Sequence, residues 1–212
     1  MKKKLVIFDM DGVLFDSPRL VNAFFLNMYP TMTQKDMNEI LSGNFHEGLE
    51  KFKLTNNPIE ETPEEKKARQ EKYSKQKLVT PLYAGIRELL QSLHLSDYIL
   101  TINTSAFEKN CMPLLENSRI KEFFDFVATA EISKSKVDKF KIIEDKYSVS
   151  EEDTIFITDT LGDIREAEVA QVPSVAVTWG AHDRSYFTRE PHKNLVAIVD
   201  SVGELETFIK NR

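Results

Sequence analysis

Two aspartates one residue apart, Asp9 and Asp11, stand directly behind the apolar run Leu5–Phe8 in the stretch FDMDGVLFDS. Carboxylates at the end of a hydrophobic strand are costly to bury unless a cation holds them or chemistry uses them. Three later stretches carry groups suited to the same task. The run Tyr98–Asn103 leads into Thr104 and Ser105, and Phe126–Ala128 is followed by Ser133, Lys134, Ser135 and Lys136. Thr154–Ile157 ends in Thr158, Asp159, Thr160, Leu161, Gly162 and Asp163. Four carboxylates, a lysine and several hydroxyls on one crevice would be equipment for phosphoryl transfer with Mg²⁺. That hard cation takes oxygen ligands from a few carboxylates and from a substrate phosphate. The transfer needs positioning and neutralisation of charge on the equatorial oxygens.

These residues can meet only if the elements behind them form a parallel sheet. Strand-length apolar runs recur at Leu5–Phe8, Tyr98–Ile102, Phe126–Ala128, Ile155–Ile157, Val175–Val177 and Val196–Val199. Several are continuous rather than alternating, as in strands covered on both faces. Helical spacing lies between them: Ile86, Leu89, Leu90 and Leu93; Val137, Phe140, Ile143 and Tyr147; Leu205, Phe208 and Ile209. Alternating strands and helices predict an α/β fold of Rossmann-like, three-layer type with a mostly parallel sheet. Sites in such sheets lie at the carboxyl ends of the strands, where Asp9 and Asp11 fall.

From Ser17 to about Thr80 the pattern is helical, with no convincing strand. Ser17 reads as an N-cap ahead of Pro18, and Thr62-Pro63-Glu64-Glu65 carries capping-box spacing. The helix that follows, to about Gln76, is rich in Lys, Arg and Glu and reads as a solvated face. The chain is thus expected to leave the sheet after its first strand, build a small helical module and return near Pro81.

Composition narrows the classes. The 212 residues suit one medium domain, or one plus a small accessory domain. A net charge of −6 argues against general nucleic-acid binding. The four-residue apolar run ahead of Asp9 is too short for a secretory leader or a membrane span, and the lone Cys111 forms no intrachain disulfide. A cytoplasmic protein with no membrane partner is expected, and a monomer, because the charged helix offers no apolar seam. Cys111 is expected to be a buried, inert thiol, and the four histidines show no metal-ligand spacing.

DMDGVLFDS, Thr104 after a strand, Lys134 and TDTLGD together resemble motifs I to IV of the haloacid dehalogenase-like hydrolases, across essentially the whole chain. The likeness is to the phosphoglycolate phosphatase and β-phosphoglucomutase branch. It implies a catalytic core of residues 1–16 and 81–212 and a helical C1-type cap at 17–80. It also implies that Asp9 is the nucleophile, forming an aspartyl-phosphate, and that Asp11 is the acid and base. Asp9, Asp11 (through its carbonyl) and Asp159 would hold Mg²⁺, with Asp163 orienting the lysine or a metal-bound water. Thr104 and Lys134 would serve catalysis and bind the phosphoryl group, beside Ser105 and Gly12. Thr101 and Asn103 compete with Thr104. Lys136 competes with Lys134, which spacing to Asp159 favours. Ser135 and Val137 replace prolines frequent in the family, and Thr158 replaces a frequent glycine. The implied activity is a Mg²⁺-dependent phosphatase acting on a small phosphorylated metabolite. A phosphomutase or a non-catalytic phospho-ligand-binding protein is the alternative. Substrate choice would fall to Phe15, Arg19, Asn44, His46, Lys51 or Lys53.

Overall fold

The computed structural model describes residues 4–212, with the backbone alone at Glu151, so residues 1–3 of the expected core segment lie outside the described residues. Strand β1 (Leu5–Phe8) is buried along its whole length. Its alternate side chains feed two cores: Val6 and Phe8 pack on one side of the sheet, Leu5 and Ile7 on the other. Beside it run β2 (Ile99–Asn103), β3 (Phe126–Ala128), β4 (Thr154–Thr158), β5 (Ser174–Val177) and β6 (Leu195–Val199). All pairings are parallel, in the order β3-β2-β1-β4-β5-β6. The order turns back across β1, which makes the gap beside its carboxyl end the crevice of the sheet.

The helices α5 (Ile86–Leu95), α6 (Glu108–Asn117) and α10 (Val202–Asn211) cover one face through Leu90, Leu114 and Leu205. The opposite face is covered by α7 (Lys136–Tyr147) and α8 (Leu161–Val169) through Phe140, Ile143 and Ala167. The expected three-layer α/β arrangement is thus present, and each of the six expected strands is found within a residue of its expected bounds. A one-turn helix, α9 (Arg184–Phe187), was not anticipated.

Between β1 and α5 the chain forms α1 (Pro18–Met28), α2 (Gln34–Ile40), α3 (Phe45–Lys53) and α4 (Pro63–Leu78). These have an apolar cluster of their own, with Tyr29, Met32, Met37, Ile40 and Leu49 at its centre. Thr62 makes the capping box with Glu65 that its spacing predicts. The two passages between this layer and the sheet lie side by side. Asp16 N–H donates to Pro81 O at 3.0 Å, Tyr83 N–H donates to Leu14 O at 3.0 Å, and Phe15 bridges Leu82.

Candidate active site

Asp9 follows β1 immediately, and its amide donates to Ile157 O on β4 at 2.8 Å. Because Phe8 is level with Ile102 and Ile157, the turns carrying Thr104 and Asp159 flank it. Asp9 is 7% exposed. Burial pushes its pKa up to about 6, against the pull of Lys136.

The lysine beside it is Lys136, not Lys134. Its Nζ lies 2.8 Å from Asp9 Oδ1 and 2.6 Å from Asp163 Oδ2, with the side chain nearly fully buried. Burial works against its charge, but the carboxylates of Asp163 and Asp9 outweigh it and hold the ammonium above the usual lysine range. Lys134 sits two residues before α7 with an exposed side chain, and its carbonyl accepts from Asn44 Nδ2 at 3.1 Å. The helix begins later than spacing to Asp159 suggests, and its first residue is the one turned inward. Its N-terminus is closed from α8, where Glu166 Oε1 accepts the Lys136 amide at 2.8 Å. Ser135 makes no side-chain cap bond.

Asp11 is held by two groups at the edge of the helical layer: it accepts from Ser17 Oγ and pairs with Lys77 Nζ. Ser17 therefore does not cap α1 through its side chain, because the hydroxyl is turned to Asp11 and to Phe15 O. Lys77 is 2% exposed, although it belongs to the highly charged α4. Sequence reasoning missed it, since the charge pattern of α4 marks no inward face in its last turn.

Asp159 is 1% exposed, and burial followed by the neighbouring Asp9 pushes its carboxyl well above the ordinary range. Its Oδ2 accepts from Ala181 N at 2.7 Å, whereas its buried Oδ1 has no hydrogen-bond partner among the described residues. Backbone crowds around it. A Cβ on Gly12 would stand 1.8 Å from Asp159 Oδ2, and the positive φ of 82° there also favours glycine. Gly12 is thus needed where the chain passes the Asp159 carboxylate. Asp163 Oδ2 also accepts from Thr158 Oγ1 at 2.6 Å, so the residue standing where relatives often have glycine supports the acidic cluster.

Among the described residues no three His, Cys, Asp or Glu side chains are gathered as a ready-made metal centre. Two carboxylates with main-chain, water and substrate oxygens suffice for Mg²⁺, however. The unpartnered Oδ1 of Asp159, the all-oxygen donor set and the excess of buried carboxylates beside Asp9 fit such an ion.

Thr104 is buried, with its amide donating to Ala128 O at 3.0 Å and its hydroxyl accepting from Ala106 N at 3.1 Å. Thr101 and Asn103 are buried within β2. Ser105 presents its carbonyl to His46 Nε2 at 3.1 Å. The helical layer meets the sheet layer at further points: Gly162 N–H donates to Leu41 O at 3.0 Å, Arg165 to Ser42 O at 2.7 Å and Asn44 Nδ2 to Glu166 Oε1 at 2.9 Å. Of the residues expected to choose the substrate, Asn44 and His46 lie at this junction. Phe15 is in the core, Arg19 and Lys51 are exposed, and Lys53 pairs with Glu50. Cys111 is buried, which pushes its thiol up to about 12. His182 packs beside Asp159 with its Nδ1 accepting the Leu161 amide at 3.0 Å. No helix among the described residues is long and apolar enough to cross a membrane.

A family model described as haloacid dehalogenase-like hydrolase matches residues 6–177. A phosphoglycolate phosphatase of Aliivibrio fischeri is 28% identical over 193 residues, covering 84% of this chain and 85% of that protein. The pyrophosphatase PpaX of Halalkalibacterium halodurans is 25% identical over 197 residues, covering 88% of each. The crystal structure of CbbY from Rhodobacter sphaeroides, in complex with phosphate, has the same fold with a TM-score of 0.72, at 20% identity over 96% of each chain. The chain belongs to the haloacid dehalogenase-like hydrolases, in their phosphatase branch.

Proposed function

We propose that the chain is a Mg²⁺-dependent phosphomonoesterase that hydrolyses a small phosphorylated metabolite through an aspartyl-phosphate on Asp9. The observation that carries this reading is a buried carboxylate at the central strand end, ion-paired to Lys136 at 2.8 Å and followed two residues later by Asp11. An Asp9 oxygen attacks phosphorus, and the bond from phosphorus to the ester oxygen breaks. Asp11 gives its proton to the departing alkoxide. It then takes a proton from the water that attacks the aspartyl-phosphate, releasing inorganic phosphate and restoring Asp9. Ser17 and Lys77 fix the Asp11 carboxylate for both steps. The Thr104 hydroxyl, which already accepts one bond, can donate its proton to a phosphoryl oxygen, while Lys136 neutralises charge there. Asp9 and Asp159, with the Asp11 carbonyl, would hold Mg²⁺, and Asp163 would orient Lys136. Bound Mg²⁺ supplies positive charge to the phosphoryl oxygens.

The names of the two relatives point to small phosphate compounds as substrates. Residues 17–80 serve as a cap over the site, with Asn44 and His46 at its closing edge. A cytoplasmic monomer suits this chemistry. The test is phosphate release from a panel of phosphorylated metabolites, with Mg²⁺ or with EDTA, for wild type and Asp9→Asn. Mg²⁺-dependent release that Asp9→Asn abolishes is expected. Folded, Mg²⁺-binding protein that releases phosphate from no member would sink the hydrolase reading.

A further inference from the structure

Lys139 is fully buried, and the phosphoryl chemistry above leaves it without a task. It follows Lys136 by three residues near the start of α7, so both ammonium groups leave the same side of the helix. That end carries the positive pole of the helix dipole, the least favourable place for two cations. Lys136 has two carboxylates to offset this. Lys139 instead donates to a peptide carbonyl, Thr104 O, at 2.6 Å. Burial, and next the charge of Lys136, bring its pKa down to about 8, against the carboxylates of Asp9, Asp163 and Glu166. His46, across the junction on α3, shares its field. An ammonium kept dry against a single carbonyl weakens the fold, so its retention points to use.

The carbonyl belongs to the turn that ends β2. Thr104 is tied there by its amide, its hydroxyl and now its carbonyl, and the next carbonyl, Ser105 O, meets His46. We propose that Lys139 is a positioning residue of the phosphoryl site, holding the Thr104–Ala106 turn from beneath and adding a second positive charge behind Lys136. The role rests on the phosphatase reading, but binding of a bare oxyanion tests it without turnover.

Lys139→Met keeps the side-chain length and removes the charge and the donor. Sulfate, whose charge is constant over the range, is titrated calorimetrically into Mg²⁺-loaded protein from about pH 7 to about pH 9.5, spanning the expected loss of the Lys139 proton. Wild-type affinity is expected to fall as pH rises through about 8. In Lys139→Met it is weaker at pH 7 and flat with pH, and turnover of the best ester drops by about a hundredfold through misplacement of Thr104. The variant melts no lower than wild type at pH 7, because a buried charge has gone. Folded Lys139→Met with wild-type sulfate affinity and pH profile overturns the proposal. Should the variant not fold, a wild-type sulfate profile flat across the range overturns it, and a fall through this range supports it. Wild type that binds sulfate in this pH-dependent way yet hydrolyses no ester refutes the phosphatase reading and leaves the placement of Lys139 standing.

Discussion

Two buried lysines bracket the aspartate pair, Lys136 reaching Asp9 from α7 and Lys77 reaching Asp11 from α4. Each is nearly fully buried, so its charge acts at low dielectric and strongly on the carboxylates it touches. Lys136 thereby keeps Asp9 available as an anion against a burial that favours the neutral acid. Lys136→Ala is expected to lower kcat/KM by about a thousandfold, as loss of a principal charge stabiliser does. Lys134→Ala, a change at an exposed side chain, should leave it within about threefold. Steady-state kinetics of the pair decide, and equal losses would refute the assignment of Lys136. Spacing to Asp159 points to Lys134 rather than to Lys136, the lysine that reaches Asp9, for a geometric reason. Where the helix starts decides which side chain turns inward, and a shift of two residues turns a side chain through about 200° around a helix. Where α7 begins is set by Glu166, thirty residues on, which no local pattern reveals. Ser17 illustrates the same limit, since its cap spacing was legible but its bond to Asp11 was not.

At the scale of elements, the strand ends were legible because buried parallel strands are continuous apolar runs, and four of them place Asp9, Thr104, Lys136 and Asp159 together. The inward turn of Lys77 was hidden, because α4 is so uniformly charged that its periodicity carries no sign of a buried face. The junction between α8 and the loop after α2 was hidden too. There the backbones pass so closely that a Cβ on Gly162 would stand 2.1 Å from Gly43 O. Gly162→Ala is expected to hold the two layers apart, raising KM and cutting kcat together by about tenfold or more. A Cβ on Gly43 meets nothing within 4 Å, so Gly43→Ala should be neutral. Gly162→Ala with wild-type kinetics would show that this contact is dispensable for turnover.

For the molecule as a whole, the site is a source of instability. Asp9 has a folded-state pKa of about 6 against an ordinary 3.8, so the folded chain keeps a proton that the unfolded chain has lost. The stability this proton lends is complete below about pH 4 and is lost as pH rises through about 6. The difference corresponds to about 3 kcal/mol at neutral pH. Asp9→Asn should therefore raise the melting temperature of metal-free protein at pH 7.5, by about 2–4 °C per kcal/mol, and the gain should vanish near pH 4. Thermal denaturation of both proteins in EDTA at the two pH values checks this, and an unchanged or lower melting point at pH 7.5 would refute it. The paired passages at Leu14–Asp16 and Pro81–Tyr83 bear on a different property, freedom of movement. A layer tied by one strand could swivel in any direction. One tied by two adjacent segments, bonded to each other at Asp16–Pro81 and Leu14–Tyr83, would keep chiefly a rotation about the line they share. Were that layer to serve as the cap proposed above, the gap would open at the far edge, where Leu41, Ser42 and Asn44 bond to Gly162, Arg165 and Glu166, and those bonds would set the toll on entry and exit.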